Sequence, residues 1–160
     1  MGAIFDPSGT YRYTLWRNWG CAPKVVFVML NPSTADAEHN DPTIRRCIGL
    51  AQAWGFGALE VVNLFAYCAT HPTELRQATD PIGIENDRYL LQAVQRSDRT
   101  LLAWGNWGYL HQRDRCVLNL LSQQTSLYCL GMNQSGQPRH PLYVRRDVKP
   151  IPMKTDIVCK

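Results

Sequence analysis

A short apolar run that stops abruptly at polar residues constrains the fold of this chain most. Lys24–Leu30 is rich in valine, and Asn31-Pro32-Ser33-Thr34 follows it at once. Apolar runs of this length without alternating polar residues are typical of strands buried on both faces of a parallel sheet. Because ligands of open α/β sheets bind beyond the carboxyl ends of the strands, we expect residues 31–36 to lie on a functional loop.

Three further apolar runs follow the first and predict the rest of the sheet. They are Leu59–Leu64, Thr100–Trp104 and Ser126–Leu130. The segments between them carry helical signals: Asp41-Pro42 and Asp80-Pro81 each resemble an N-cap followed by proline, and apolar residues recur at helical spacing from Trp107 to Leu121. This order predicts a three-layer α/β sandwich around a small, mostly parallel four-stranded sheet with right-handed crossovers.

The length of 160 residues predicts one domain. Polar and apolar side chains alternate over Tyr11–Arg17, which indicates an edge strand or hairpin at about residues 9–18. The α/β core is expected over residues 24–131. A loop rich in glycine, proline and asparagine and a basic tail are expected over residues 132–160.

Composition indicates a folded protein without a membrane segment. Hydrophobic residues make up 45% of the chain and charged residues 19%, a balance that supports a core and argues against disorder. No apolar run reaches the roughly 18 residues that span a bilayer, and the amino terminus lacks a signal-peptide pattern. We therefore expect a cytoplasmic protein that does not contact a membrane.

The six cysteines form no CxxC pair and no zinc-finger spacing with histidine. We expect free thiols, mostly in the core, and no metal site. The chain also lacks the Walker loop, GxGxxG, GxSxG and HExxH motifs, so the sequence implies no cofactor.

The net charge of +4 comes mostly from arginine, which suits bidentate contacts with phosphate. This charge permits a DNA or nucleotide partner without requiring one, and an ordinary solvated surface explains it equally well. The oligomeric state cannot be read from the sequence.

Four polar loops should converge where the predicted parallel strands end: residues 31–41, 63–72, 105–107 and 133–141. Their asparagine amides both donate and accept hydrogen bonds, so they suit contacts with nucleobase edges. The candidate binding residues are Pro32, Ser33, Thr34, Asn63, Phe65, Tyr67, Asn106, Asn133, Ser135 and Arg139. The alternative interpretations are that Phe65 and Tyr67 belong to the core, that Arg139 belongs to a solvated basic tail, and that Asp41 only caps a helix.

Two resemblances accompany these patterns. Met29–Asp36, Asp41-Pro42-Thr43, Val62–Ala66, Trp104-Gly105 and His140–Tyr143 resemble a bacterial family known only as a domain of unknown function. More remotely, Met29–Ser33, Val61–Leu64 and a late loop at 132–136 or 139–141 resemble motifs of the uracil-DNA glycosylase superfamily. The first-motif glycine of that superfamily is replaced here by Met29.

The second resemblance implies a uracil-DNA glycosylase-like fold and hydrolysis of a base–sugar bond. Asn31 would position a water, assisted by Asp36, and Asn63 would contact the flipped base. His140 or Asn133 would then donate a hydrogen bond to the departing base. The predicted catalytic residues are therefore Asn31, Asp36 and His140. Two other functions stay open: a protein that binds a nucleotide or nucleobase without catalysis, and a hydrolase of a small nucleoside-like metabolite.

Overall fold

The computed structural model describes residues 1–154, and a seven-stranded sheet forms its centre. The strands are β1 (Gly2–Phe5), β2 (Arg12–Asn18), β3 (Lys24–Met29), β4 (Ala58–Asn63), β5 (Arg99–Leu102), β6 (Leu127–Cys129) and β7 (Ile151–Pro152). Their order across the sheet is β1-β2-β4-β3-β5-β6-β7. The four apolar runs form the parallel neighbours β4, β3, β5 and β6, and the other strands pair antiparallel.

The prediction of a small, four-stranded, uracil-DNA glycosylase-like sheet is therefore wrong. The amino-terminal segment supplies two strands, and β2 lies inside the sheet between β1 and β4 instead of at an edge. A short strand near the carboxyl terminus, β7, pairs with β6 on the other side. Both additions come from segments too short or too polar to show the continuous apolar pattern of a central strand.

Helices cover both faces of the sheet. They are α1 (Pro42–Ala53), α2 (Thr73–Gln77), α3 (Asn86–Gln95) and α4 (Arg113–Ser122), with 3-10 helices at Asn106–Gln112 and Pro141–Tyr143. None of the helices within residues 1–154 has the length and apolar character needed to cross a membrane.

Two hydrophobic clusters bury the two faces of the sheet. Along β3, Val26 and Val28 join the cluster beneath α3 and α4, whereas Val25 and Phe27 join the cluster beneath α1. This alternation follows from the two-residue period of a strand, and it explains why the run carries no polar residue.

One of the two predicted Asp-Pro helix starts is confirmed. Asp41 caps α1, its side chain accepting a hydrogen bond from the Ile44 N–H, and Pro42 is the first helical residue. The second start is wrong, because Asp80 accepts hydrogen bonds from the Ile82 and Gly83 N–H groups and closes a turn. The helix begins only at Asn86, so proline after aspartate does not by itself separate a cap from a turn.

The third predicted helix, from Trp107 to Leu121, is divided into a 3-10 segment and α4. His111 and Gln112 adopt positive φ angles of 54° and 55° between the two parts. The break redirects the chain, while Leu110, Val117 and Leu121 are buried as the spacing predicts.

The prediction that most cysteines lie in the core is wrong for the described residues. Cys47 and Cys129 are buried, Cys68 is half-buried, and Cys21 and Cys116 are exposed. All five are free thiols. Cys159 and the end of the predicted basic tail lie outside the described residues.

Candidate functional site

A pocket of about 550 Å³ opens at the carboxyl ends of β3, β4 and β5, on the face that α1 covers. The amino-terminal end of α1, the start of the 3-10 helix after β5, and the late loop complete its walls. The polar residues that line it are Arg12, Asn31, Ser33, Asp41, Thr43, Asn63, Thr70, Asn106, Asn133 and His140. The pocket therefore occupies the position at which open α/β sheets bind ligands.

Asn63, the last residue of β4, lines this pocket with an unpaired carboxamide. Its side chain is 1% exposed, and neither Nδ2 nor Oδ1 has a hydrogen-bond partner among the described residues. The backbone around it is held firmly: the Asn86 side chain donates to the Asn63 and Leu64 carbonyls at 2.9 and 3.0 Å, and Arg113 donates to the Leu64 carbonyl. The backbone that carries the unpaired amide is thus fixed by its neighbours.

Asn31 follows β3 and lies on the same pocket wall. Its Nδ2 donates to the Pro32 carbonyl at 2.9 Å and the Ala69 carbonyl at 2.8 Å. Both amide hydrogens are therefore used, which fixes the orientation of the side chain. Its Oδ1 has no donor within residues 1–154 and is free to accept a hydrogen bond from a water or ligand.

Asp41 combines its cap of α1 with a place in the pocket wall. Its carboxylate accepts from the Ile44 N–H at 2.9 Å and from the Ala35 N–H at 3.3 Å, so it ties the loop after β3 to the helix. The two interpretations of Asp41, as cap and as site residue, are compatible in this geometry.

His140 approaches the pocket from the late loop as a neutral imidazole. Its Nδ1 accepts from the Leu142 N–H at 3.2 Å, which assigns the ring hydrogen to Nε2. Burial lowers the pKa of His140 to about 4, although the nearby Asp41 carboxylate acts in the opposite direction. At neutral pH the ring therefore offers an uncharged N–H donor.

Gly105 allows the loop after β5 to pass close to this histidine. Its φ of 78° and ψ of −168° fall in a region that is essentially restricted to glycine. Its N–H donates to the Pro138 carbonyl at 2.9 Å, which joins the loop after β5 to the late loop.

Asn106, Asn133 and Ser135 form a small network at the mouth of the pocket. Asn133 Nδ2 and Ser135 Oγ both donate to Asn106 Oδ1, at 2.9 and 2.6 Å. Asn106 and Asn133 line the pocket, whereas Ser135 supports them from outside. Because the accepting oxygen is occupied, the Asn106 amide can present only its N–H groups to a ligand.

The remaining predicted site residues lie outside the pocket lining. Asp36 accepts from the Glu38 and His39 N–H groups, and these backbone bonds lower its pKa within a turn of the loop. Phe65 is fully buried in the cluster beneath α3 and α4, and Tyr67 packs edge-on against Tyr11. Pro32 and Thr34 flank Ser33, and Arg139 contacts the Met132 carbonyl; none of these three is part of the lining.

Sequence reasoning missed Arg12, which comes from β2. The register of β1 against β2 shifts between Ile4 and Phe5, so that Thr14 opposes Ile4 and Arg12 opposes Phe5, with Tyr13 in between. This bulge lets Tyr13 stack on Tyr89 of α3 while Arg12 donates to the Ala35 carbonyl on the α1 side. A bulge carries no clear sequence signal, and strict alternation would not place these residues correctly.

Residues 12–142 match the protein family described as a protein of unknown function (DUF1643). The chain belongs to this family. No curated protein and no solved structure matches the chain. The resemblance to uracil-DNA glycosylases therefore gains no support from the comparisons, whereas the expected membership in a family of unknown function is confirmed.

The segment that matches DUF1643 begins at Arg12 and ends at Leu142, so it contains every residue that lines the pocket except Tyr143. Within residues 1–154, no group of three or more histidine, cysteine, aspartate or glutamate side chains is placed to hold a metal ion. The chemistry available in the pocket consists of amides, hydroxyls, one carboxylate, one guanidinium and one neutral imidazole.

Proposed function

We propose that this protein binds a nucleobase, or a heterocycle with a similar hydrogen-bonding edge, through the carboxamide of Asn63. The observation that carries the proposal is the unpaired state of that amide in the pocket lining, with the side chain 1% exposed. An amide presents a donor and an acceptor side by side, which matches the paired groups on a base edge.

An unpaired amide in this position lowers the stability of the protein. A buried donor or acceptor without a partner costs about 1–3 kcal/mol of stability. A ligand that bonds both Asn63 atoms recovers this cost on binding, whereas an apolar residue at the same position would have avoided it. A polar residue in this position is therefore expected to serve binding at the expense of stability.

The dimensions and walls of the pocket also suit a planar ligand. Its volume of about 550 Å³ lies within the usual range for small-molecule sites, about 300–1,000 Å³. Met29, Val61 and Trp104 supply apolar surface, and Trp107 and Tyr143 add aromatic faces. Apolar walls with a few oriented polar groups are typical of such sites.

Hydrolysis of a base–sugar bond is a second candidate, favoured by the presence of Asn31 and His140 in the same pocket. The free Oδ1 of Asn31 could hold the attacking water, and Nε2–H of His140 could donate to the departing base. A preorganised donor of that kind lowers a barrier by about 3–4 kcal/mol. Asp36 has no role in this proposal because its carboxylate is bound within its own turn.

Binding is tested by measuring the melting temperature and the calorimetric affinity with a panel of free bases and nucleosides. We expect at least one of them to stabilise the wild type, and Asn63→Leu to abolish the effect while the variant remains folded. A panel in which no base or nucleoside binds would contradict the proposal, as would a ligand bound equally well by Asn63→Leu.

Hydrolysis is tested separately with labelled single- and double-stranded DNA that contains uracil, hypoxanthine or a thymine mismatch, followed by alkali. The second candidate predicts strand breaks at the modified base that are lost in Asn31→Ala. If the wild type leaves every substrate intact, the second candidate is rejected for these substrates, and binding without cleavage remains.

A further inference from the structure

Arg12 is a buried guanidinium whose hydrogen bonds are incomplete. The residue is 2% exposed and lines the pocket. Its Nη1 donates to the Ala35 carbonyl at 3.0 Å, but its Nε has no partner among the described residues. No carboxylate within residues 1–154 forms an ion pair with it. A buried charge in this condition is costly unless something compensates it.

The other two buried arginines are compensated by several hydrogen bonds or by an ion pair. Arg17 donates to Asn40 Oδ1 and to the carbonyls of Gly2, Trp16, Asp36 and His39. Arg113 forms an ion pair with Asp87 and donates to the Leu64 carbonyl. Neither of them lines the pocket. Arg12 differs from both in having few partners and in facing the candidate site.

Asp41 is the carboxylate whose charge acts on Arg12, yet it does not neutralise it through contact. Its oxygens are bound by the Ile44 and Ala35 N–H groups, which keep the carboxylate at the start of α1. Burial lowers the pKa of Arg12 to about 10, with Cys68 and Asp41 acting in the opposite direction, so the guanidinium stays charged at neutral pH.

We propose that Arg12 binds an anionic group of the pocket's ligand, a phosphate or a carboxylate. The inference rests on the proposed function and narrows it: the ligand is a nucleotide or another anionic heterocycle and not a neutral base. Ser33 and Thr43 line the same pocket, and their hydroxyls form no hydrogen bond within the described chain, so they can donate to the same anion.

The experiment uses inorganic phosphate, acetate and a nucleoside with its 5′-monophosphate, each against chloride at the same ionic strength. Phosphate or acetate should raise the melting temperature of the wild type beyond chloride, and the response should be lost in Arg12→Gln. The monophosphate should bind more tightly than its nucleoside by about 10-fold, and Arg12→Gln should remove that advantage. Phosphate and acetate distinguish the two anion types.

Arg17→Gln is the matched control. Arg17 is a second buried arginine of β2, and it also donates to the loop after β3, but it lies outside the pocket. Arg17→Gln should lower the melting temperature without changing the phosphate response. Arg12→Lys keeps the positive charge, so it should retain part of the response to phosphate or acetate. This variant replaces Arg12→Gln in the comparison if Arg12→Gln is too unstable to measure. The proposal would be overturned if phosphate and acetate raised the melting temperature of the wild type no more than chloride does. It would also be overturned if the increase persisted in Arg12→Gln.

Asn63→Leu separates this inference from the proposed function. That variant should lose nucleoside binding and keep its response to phosphate or acetate. If no nucleoside binds the wild type but the anion response depends on Arg12, the anion site stands and the nucleobase proposal fails. If nucleosides bind through Asn63 but neither phosphate nor acetate raises the melting temperature beyond chloride, the nucleobase proposal stands and the anion site fails.

Discussion

At the residue scale, the site depends on a difference between polar groups that are satisfied and polar groups that are not. Asn31 and Asn63 both follow apolar strands, and the sequence predicts both at the pocket. The sequence analysis predicts a catalytic role for Asp36 and weighs Asp41 as a helix cap, although both lie on the loop after β3. Only the fold shows that Asp36 closes its own turn while Asp41 reaches the pocket wall.

Asn63 and Asn86 should respond in opposite ways to replacement by leucine. Asn63→Leu removes an amide with no partners, so the free energy of unfolding should stay unchanged or rise. Asn86→Leu removes the donor to two strand-end carbonyls, so it should lower that free energy by about 1–3 kcal/mol. Urea unfolding measures both. A loss of stability in Asn63→Leu as large as that in Asn86→Leu would show that Asn63 has a structural role.

His140 makes the stability of the protein depend on pH in a defined direction. Its pKa in the folded state is about 4, below the value of about 6.5 in an unfolded chain, so the unfolded state binds the extra proton between these values. The contribution of the neutral ring is therefore complete above about pH 6.5 and is lost as the pH falls toward about 4.

The variant His140→Asn isolates this effect from the titration of carboxylates. Between about pH 7 and about pH 4.5, the wild type should lose about 1–3 kcal/mol more stability than the variant. Urea unfolding across this range gives the comparison. Parallel pH profiles for the two proteins would contradict a depressed pKa at His140.

At the element scale, continuous apolar runs and the first Asp-Pro pair are local signals, and they correctly predict β3, β4, β5, β6 and the start of α1. The bulge in β2 is a register effect between strands, so no local pattern predicts the placement of Arg12. The second Asp-Pro pair fails for a related reason, since aspartate side chains bond nearby N–H groups equally well in turns and at helix caps.

The cap of α1 should contribute measurably to the stability of the protein. Asp41→Ala should destabilise the protein by about 1–2 kcal/mol, because it removes the acceptor for the Ile44 and Ala35 N–H groups. Asp41→Asn keeps the acceptor for the Ile44 N–H but places an amide nitrogen opposite the Ala35 N–H, so it should lose only part of that stability. Thermal and urea unfolding of both variants tests this. Equal losses would show that the charge of Asp41, rather than its cap, stabilises the helix.

At the scale of the whole molecule, the predicted parallel strands form the middle of a sheet that is wider than expected. β3 and β4 are central and almost entirely buried, whereas β7 is exposed at one edge. The sequence did not reveal β1 and β7, because strands of four and two residues are too short to show a strand pattern. Even so, β2 and the late loop at 131–143 supply residues to the pocket, so the site depends on these flanking segments.

This arrangement predicts a gradient of amide hydrogen exchange across the sheet. The amides of β3, β4 and β5 should exchange slowest, through opening of the whole molecule, and those of β1 and β7 fastest among the strands. Mass spectrometry of peptides after exchange measures the order. Protection of the β7 amides equal to that of the β3 amides would contradict the position of β7 at the edge of the sheet.

Binding through Asn63 is measured at the residue itself by its side-chain amide signal in nitrogen–proton NMR spectra. As a binding nucleoside or nucleotide is added, we expect a large change in the Asn63 side-chain N–H shifts that saturates with the calorimetric affinity. The Asn86 side chain, already bonded to two carbonyls, should change little. Unchanged Asn63 signals in a protein saturated with ligand would contradict binding through this amide.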